Sequence, residues 1–432
     1  MPVTARNILA LALPALGVLI ANPLYLLLDT AVVGRLGTAE LAALAAGTTI
    51  QSIVTTQLTF LSYGTTARSS RLYGAGKRSA AVAEGVQATW VALAVGCAIA
   101  VLVWLLAQPL GVWLTHDVAT GAAAAQWMRV AVCAVPLTLV IMAGNGWMRG
   151  VQNTRLPFVI TLCGLVPGAA ILPALVARYG LVGSAIANVI GMGIAAALFL
   201  IVLIREHARG SGGSWRPQWS VIRQQLILGR DLILRSLSFQ ISLLAAAAVA
   251  GRFGVATLAA HQILLQLWNL LTLVLDSLAI AAQTLTGAAL GTGQVARATA
   301  VAKQTTKYST VFALILALAF AVGARPIQAI FTQDQVVLAD LAVPWWLLIA
   351  MILVGGVVFA LDGVLLGASD AKFLRNLTII SVLGAFVPMT VLSAQLGWGL
   401  TGIWVGHLAS VVVRLLGVIV RFRSMRWVDP AP

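Results

Sequence analysis

The sequence predicts an all-α membrane protein with twelve transmembrane helices, arranged as two parallel six-helix repeats with both termini in the cytoplasm. Three observations predict it. Of 432 residues, 60% are hydrophobic and 9% charged, with a mean hydropathy of +0.99. A soluble domain of that size cannot hide so much apolar surface, so lipid must be part of its solvent. The second half also echoes the first at an offset of 217 residues. Gly34-Arg35-Leu36-Gly37 returns as Gly251-Arg252-Phe253-Gly254, and Leu41-Ala42-Ala43 as Leu258-Ala259-Ala260. Gly74, Gly76, Gly146, Gly150 and Gly180 return as Gly291, Gly293, Gly363, Gly367 and Gly397. Finally, the basic residues sort to one side of the apolar runs.

A bilayer crossing needs about 20 apolar residues. Twelve runs qualify: 8–33, 41–67, 82–107, 125–148, 156–176, 181–204, 230–250, 257–290, 299–322, 343–366, 374–396 and 400–420. The first exceeds a signal-peptide core and is expected to be retained as a span. It carries Pro14 and Pro23, each of which removes a backbone hydrogen bond and favours a kink. The eighth is long enough to project beyond the bilayer. With the N-terminus inside, 21 of the 27 Lys and Arg residues face the cytoplasm. Arg35, Arg129, Arg178, Arg252 and Arg325 face outward, and Arg414 lies within the last span. That asymmetry sets the orientation and supports an even helix count.

The division follows. An N-lobe spans 1–206, a basic linker with Gly210-Ser211-Gly212-Gly213-Ser214 spans 207–229, and a C-lobe spans 230–432. Six is even, so both halves enter from the same face and are related by an axis along the membrane normal. The net charge of +15 is distributed between spans and does not form a phosphate-binding patch, so no nucleic-acid partner is expected. Cys97, Cys133 and Cys163 lie in apolar runs without CxxC spacing, and are expected to be buried free thiols. No metal and no cofactor is implied. Walker A, HExxH and GxSxG patterns are absent, as is an arginine ladder.

Acids inside a membrane are costly. Asp29, Asp276 and Asp362 fall within spans. Burial disfavours the charged form of a carboxyl group, which can then hold a proton and release it when water arrives. Asp29 sits toward the outer end of the proline-containing first span. The alternative for it is an interfacial acid partnered by Arg35 or water. Asp276 shares a helix face with Gln283, and its alternative role is a hydrogen bond to a neighbouring helix. Asp362 lies in Phe359-Ala-Leu-Asp362-Gly363, and its repeat counterpart is Asn145 in Gly144-Asn145-Gly146. Packing is an equal alternative there. Asn22, Asn188, His261 and His407 are further intramembrane polar groups, more often interhelical glue than ligand sites.

The stretch Pro23-Leu-Tyr25-Leu-Leu-Leu-Asp29-Thr-Ala-Val-Val-Gly34-Arg-Leu-Gly37 resembles the first-helix signature of MATE (multidrug and toxic compound extrusion) transporters. Leu275-Asp276-Ser-Leu-Ala-Ile-Ala-Ala-Gln283 and Leu361-Asp362-Gly363-Val-Leu-Leu-Gly367 extend the resemblance toward the DNA-damage-inducible-F-like branch. It implies a V-shaped pair of lobes in a bacterial-type inner membrane, working as a monomer among membrane lipids. It implies export of drug-like, often cationic or amphipathic, small molecules against inward H⁺ or Na⁺, without catalysis. Asp29 matches the acid used as the coupling site. Asn22, Tyr25, Asn145, Thr161 and Asn188 are the expected N-lobe polar network and cavity. Asp276, Gln283 and Asp362 are the C-lobe candidates. Some members place a second acid in the fifth helix or use an acidic seventh; 156–176 and 236–250 contain none. A hard cation favours several oxygens, carboxylates included, so H⁺ is favoured over Na⁺. Two other readings remain: Na⁺-coupled efflux, and flipping of a lipid-linked oligosaccharide. The second would need a cationic cavity that the loop-bound arginines do not provide.

Overall fold

The computed structural model describes residues 4–210 and 214–428, so Ser211, Gly212 and Gly213 of the linker lie outside the described residues. All regular structure among the described residues is helical. The first half contains α1 (Ala5–Val33), α2 (Thr38–Gln57), α3 (Phe60–Gly74), α4 (Arg78–Thr115), α5 (Val118–Ala131), α6 (Ala134–Gly150), α7 (Arg155–Tyr179) and α8 (Leu181–Arg209). The second contains α9 (Trp219–Phe253), α10 (Val255–Gly291), α11 (Val295–Val322), α12 (Ala324–Phe331), α13 (Gln335–Leu341) and α14 (Pro344–Gly367). It ends with α15 (Ala371–Ser381), a π-helical turn (Val382–Phe386), α16 (Val387–Leu396) and α17 (Gly399–Arg423).

Ten helical segments among the described residues are long and apolar enough to cross a membrane, with α15 to α16 counted as one. The pair α5 and α6, bent by 45°, supplies an eleventh. The expected span 41–67 is α2 followed by α3. Its Thr, Ser, Gln and Arg content lowers its hydropathy, and the helix breaks at Leu58-Thr59. The first helix runs through both Pro14 and Pro23 without a break. Asp117 starts α5: its Oδ2 accepts from the Thr120 amide at 2.7 Å, satisfying a donor that the first turn leaves free. That bond holds the Asp117 carboxyl below the ordinary carboxylate range.

The 217-residue echo has a backbone cause. Gly76 and Gly293 close equivalent turns at φ 75° and 74°, where an L side chain is strained. Gln152 and Ser369, also 217 apart, share that region at 62° and 64°. Close approach explains another pair. A Cβ on Gly146 would meet the Ser62 carbonyl oxygen at 2.7 Å, and one on Gly363 would strike the Ala279 carbonyl. Ser62 and Ala279 are themselves 217 apart. Small residues let helix backbones approach where lipid provides no hydrophobic drive.

The chain forms two compact units, one of residues 13–229 and the other of 1–12 with 230–432. The first is built on a core around Trp127, Leu44, Leu172 and Val176, and another around Trp147, Phe199 and Leu203. The second unit has a core around Trp345, Trp404, Phe386 and Leu264. Its other cluster is Ile8, Leu11 and Ala12 packed with Leu278 and Ala281. The leading turns of α1 therefore belong with the second unit. Reciprocally, residues 219–229 of α9 belong with the first, where Gly229 packs on Phe60 and Leu228 on Gly64.

The expected cut placed 1–12 in the N-lobe and 207–229 in a linker. The leading turns of each half's first helix carry apolar faces, and each packs onto helices of the unit that does not hold the rest of it. The segment 214–218 is also held. Trp90 Nε1 donates to the Trp215 carbonyl at 2.8 Å, and the Gln218 amide donates to Gln87 Oε1 at 2.7 Å. Arg68 and Gln225 both donate to Glu84, at 2.6 and 3.0 Å, seating the start of α9. The three cysteines are exposed and free, not buried as hydropathy implied. In a membrane helix the outward face is as apolar as the inward one, so an apolar run does not specify burial.

Two outcomes are expected. Gly363→Val should lower stability by about 1–3 kcal/mol through overpacking, whereas Gly384→Ala, which faces open space, should not; thermal unfolding in detergent checks both. The stabilisation from Asp117 should be present above the ordinary carboxylate pKa and fade as acidification protonates the cap. The gap in thermal midpoint between wild type and Asp117→Ala should thus be constant from roughly pH 5 to 8 and close below about pH 4.

Candidate functional site

On α1, Tyr25, Asp29 and Val33 recur every fourth residue and are buried, while Leu24, Leu26, Leu27, Leu28 and Thr30 are exposed. Asp29 is 3% exposed. Ser184 on α8 donates its hydroxyl to Asp29 Oδ2 at 2.8 Å. Trp127 on α5 donates its indole N–H to the Ser184 oxygen at 3.2 Å. Three helices therefore converge on one carboxyl group. Its Oδ1, the Tyr25 hydroxyl and Asn145 Oδ1 are buried without a hydrogen-bond partner. Among the described residues no basic side chain forms an ion pair with Asp29, Arg35 included.

The other N-lobe candidates divide. Asn145 on α6 is buried. Asn188 is half-buried, one turn beyond Ser184 on α8. Thr161 is half-buried, and its hydroxyl donates to its own helix at the Pro157 carbonyl, 2.8 Å away. Asn22 is exposed beside Pro23 and Leu24, outside the buried group. Its polarity suits a site, but polarity does not reveal which side of a helix faces in.

In the second unit, Asp362 Oδ2 accepts from Arg235 on α9 and from Arg414 on α17, the latter at 2.5 Å. The Phe239 ring lies 4.9 Å from the Arg414 guanidinium carbon and 5.7 Å from that of Arg235. Gln283 is buried and Asp276 half-buried on α10. Elsewhere in this unit Trp404 Nε1 donates to His261 Nδ1 at 3.3 Å, and the His407 ring stacks on His261. Among the described residues no cluster of three or more His, Cys, Asp or Glu side chains is placed to hold a metal.

Ser184, Trp127, Arg235 and Arg414 join these sites only in the structure. Arg414 did carry a signal, since a basic residue inside an apolar span needs an acidic partner. Ser184 carried none, because a small hydroxyl is ordinary at any helix interface.

The sequence profile of the MatE family matches residues 14–173 and again 232–392, one match in each repeat. The chain belongs to that family, the MATE multidrug efflux transporters, and is a multi-pass membrane protein of the transporter class. Within the family its affinity is to the DNA-damage-inducible-F-like branch. It is 28% identical to DNA damage-inducible protein F of Escherichia coli (strain K12), covering 92% of this chain and 91% of that protein. It is 30% identical to Protein DETOXIFICATION 44, chloroplastic, of Arabidopsis thaliana, covering 95% of this chain and 80% of that one. A solved outward-facing multidrug resistance MATE family transporter shares the fold at a TM-score of 0.85 and 19% identity, covering 97% of this chain and 96% of that one.

Ser184→Ala removes the donor to Asp29 and the acceptor of Trp127 together. It should cost about 1–3 kcal/mol in thermal unfolding.

Proposed function

We propose that this protein exports organic, often cationic or amphipathic, compounds in exchange for H⁺ by alternating access, with Asp29 as the coupling group. One observation carries the reading: a carboxyl group buried in a membrane helix, held by a single hydroxyl, with one oxygen unpartnered and, among the described residues, no cation paired to it. An isolated ionised carboxylate in that setting is costly, and protonation removes the cost. Asp29 is ionised or hydrogen-bonded when substrate occupies the N-lobe. A proton entering from outside neutralises it, alters the bend of the proline-containing α1 and shrinks the cavity, releasing the substrate. One proton moving down 100 mV supplies about 2.3 kcal/mol, and each pH unit adds about 1.4 kcal/mol. That is sufficient for modest concentrative export.

The proton is favoured over Na⁺ because Asp29 has no second carboxylate in 156–176. The neutral oxygens of Ser184, Tyr25 and Asn145 do not replace the second carboxylate that a hard cation favours. No cofactor is required. The substrates are small drug-like molecules, and the working unit is a monomer in contact with lipid in a bacterial-type inner membrane.

The test is transport in proteoliposomes with pH and Na⁺ gradients imposed separately. Efflux should follow the pH gradient, and Asp29→Asn should reduce it to background while the protein still inserts and folds. Transport driven by Na⁺ alone, or undiminished in Asp29→Asn, would overturn the proposal.

A further inference from the structure

The second unit carries buried charge that the Asp29 reading does not use. Arg235 and Arg414 both ion-pair with one oxygen of Asp362. Two cations therefore share one carboxylate, inside helices that cross the membrane. Each guanidinium has five N–H donors, and each spends one on Asp362. Arg235 Nε is buried without a partner, and so is Asp362 Oδ1. The Phe239 face offsets part of the positive charge but accepts no conventional hydrogen bond. The Arg235 side chain is the more accessible, at 13% exposure against 7% for Arg414.

Packing does not require these charges, as the repeat itself demonstrates. At the 217-residue offset Arg235 corresponds to Val18, Asp362 to Asn145, Arg414 to Ala197, and Phe239 to Asn22. The first unit assembles the equivalent helices α1, α6 and α8 with none of the three charges. The glycines beside Asp362 and Asn145 are nevertheless shared. The cluster is an addition to a common frame, and a costly one, because a buried guanidinium donor without a partner, Arg235 Nε, lacks compensation.

We infer that Arg235 and Arg414, with Asp362 and Phe239, form a binding site for an oxyanion: the carboxylate, sulfonate or phosphate of an amphipathic molecule. The planar guanidinium fork can donate two parallel hydrogen bonds to a pair of oxygens on such a group. Asp362 bridges the two arginines through one oxygen while the site is empty and competes with the incoming anion. The Phe239 ring offers an apolar surface to the remainder of the ligand. The oxyanion can belong to a transported organic anion or to an anionic lipid headgroup. The site stands independently of the coupling ion, because binding needs no gradient.

The test uses the purified full-length protein in neutral maltoside detergent, titrated calorimetrically with 1-naphthyl phosphate, 2-naphthalenesulfonate and tetraphenylphosphonium. The two anions should bind saturably and compete with each other, and the cation should not displace them. Arg235→Gln should weaken anion binding about tenfold or more. Asp362→Asn should strengthen it, because the competing carboxylate is gone. A purely structural cluster would not move the two variants in opposite directions. Arg235→Lys, which keeps the charge but loses the fork, should fall between wild type and Arg235→Gln, and it serves should Asp362→Asn fail to fold. Phosphatidylglycerol added as a competitor distinguishes the sources. Displacement by the lipid, without uptake of naphthyl phosphate into phosphatidylcholine vesicles, assigns the site to a headgroup. Uptake that Arg235→Gln abolishes assigns it to cargo. Absence of saturable anion binding, or binding unaltered in Arg235→Gln, would overturn the inference.

Discussion

A peptide group in hydrocarbon has no water to bond to, and the rest of this structure follows from that constraint. Helices satisfy the backbone internally, which is why nearly all of the described chain is helical. Once helices are formed, lipid gives them little reason to associate. Association comes from close contact, and close contact needs small residues. Gly146 against Ser62 and Gly363 against Ala279 are the same contact made twice. The fold is held at points where a side chain has been removed.

Side chains elsewhere were free to diverge, and they have. Asp29 corresponds to Ala246 in the second unit, and Ser184 to Thr401. Asp362 corresponds to Asn145. Asp29 and Asp362, a buried acid from each unit, thus sit at non-equivalent places and in opposite electrostatic settings. The acid of the first unit has a hydroxyl and no cation. The acid of the second has two guanidinium groups. Such a pair of environments separates a carboxyl group without a cationic partner from one held between two guanidinium groups.

The sequence made the frame legible for physical reasons. Apolar length and basic-residue asymmetry respond directly to the bilayer, so the segments that became helices could be read. The 58–59 break was not, since Thr and Ser within a moderately apolar run do not announce a helix end. Asp29 was legible because a carboxyl group in lipid is expensive wherever it points. Asn22 misled, because an amide is cheap enough to remain at a helix surface. Ser184 and Trp127 were invisible, as their role depends on which helices meet. The reciprocal placement of residues 1–12 and 219–229 was also hidden. An apolar helix end reveals that it packs, but not on which neighbour.

The exposed thiols have a practical side. Cys97, Cys133 and Cys163 all belong to the first unit, and the second contains no cysteine at all. A membrane-permeant maleimide fluorophore or spin label would therefore decorate only one of the two repeats. The natural chain already provides a one-sided reporter, and restoring any single thiol to a cysteine-free background would give a point of attachment without altering Asp29 or Asp362.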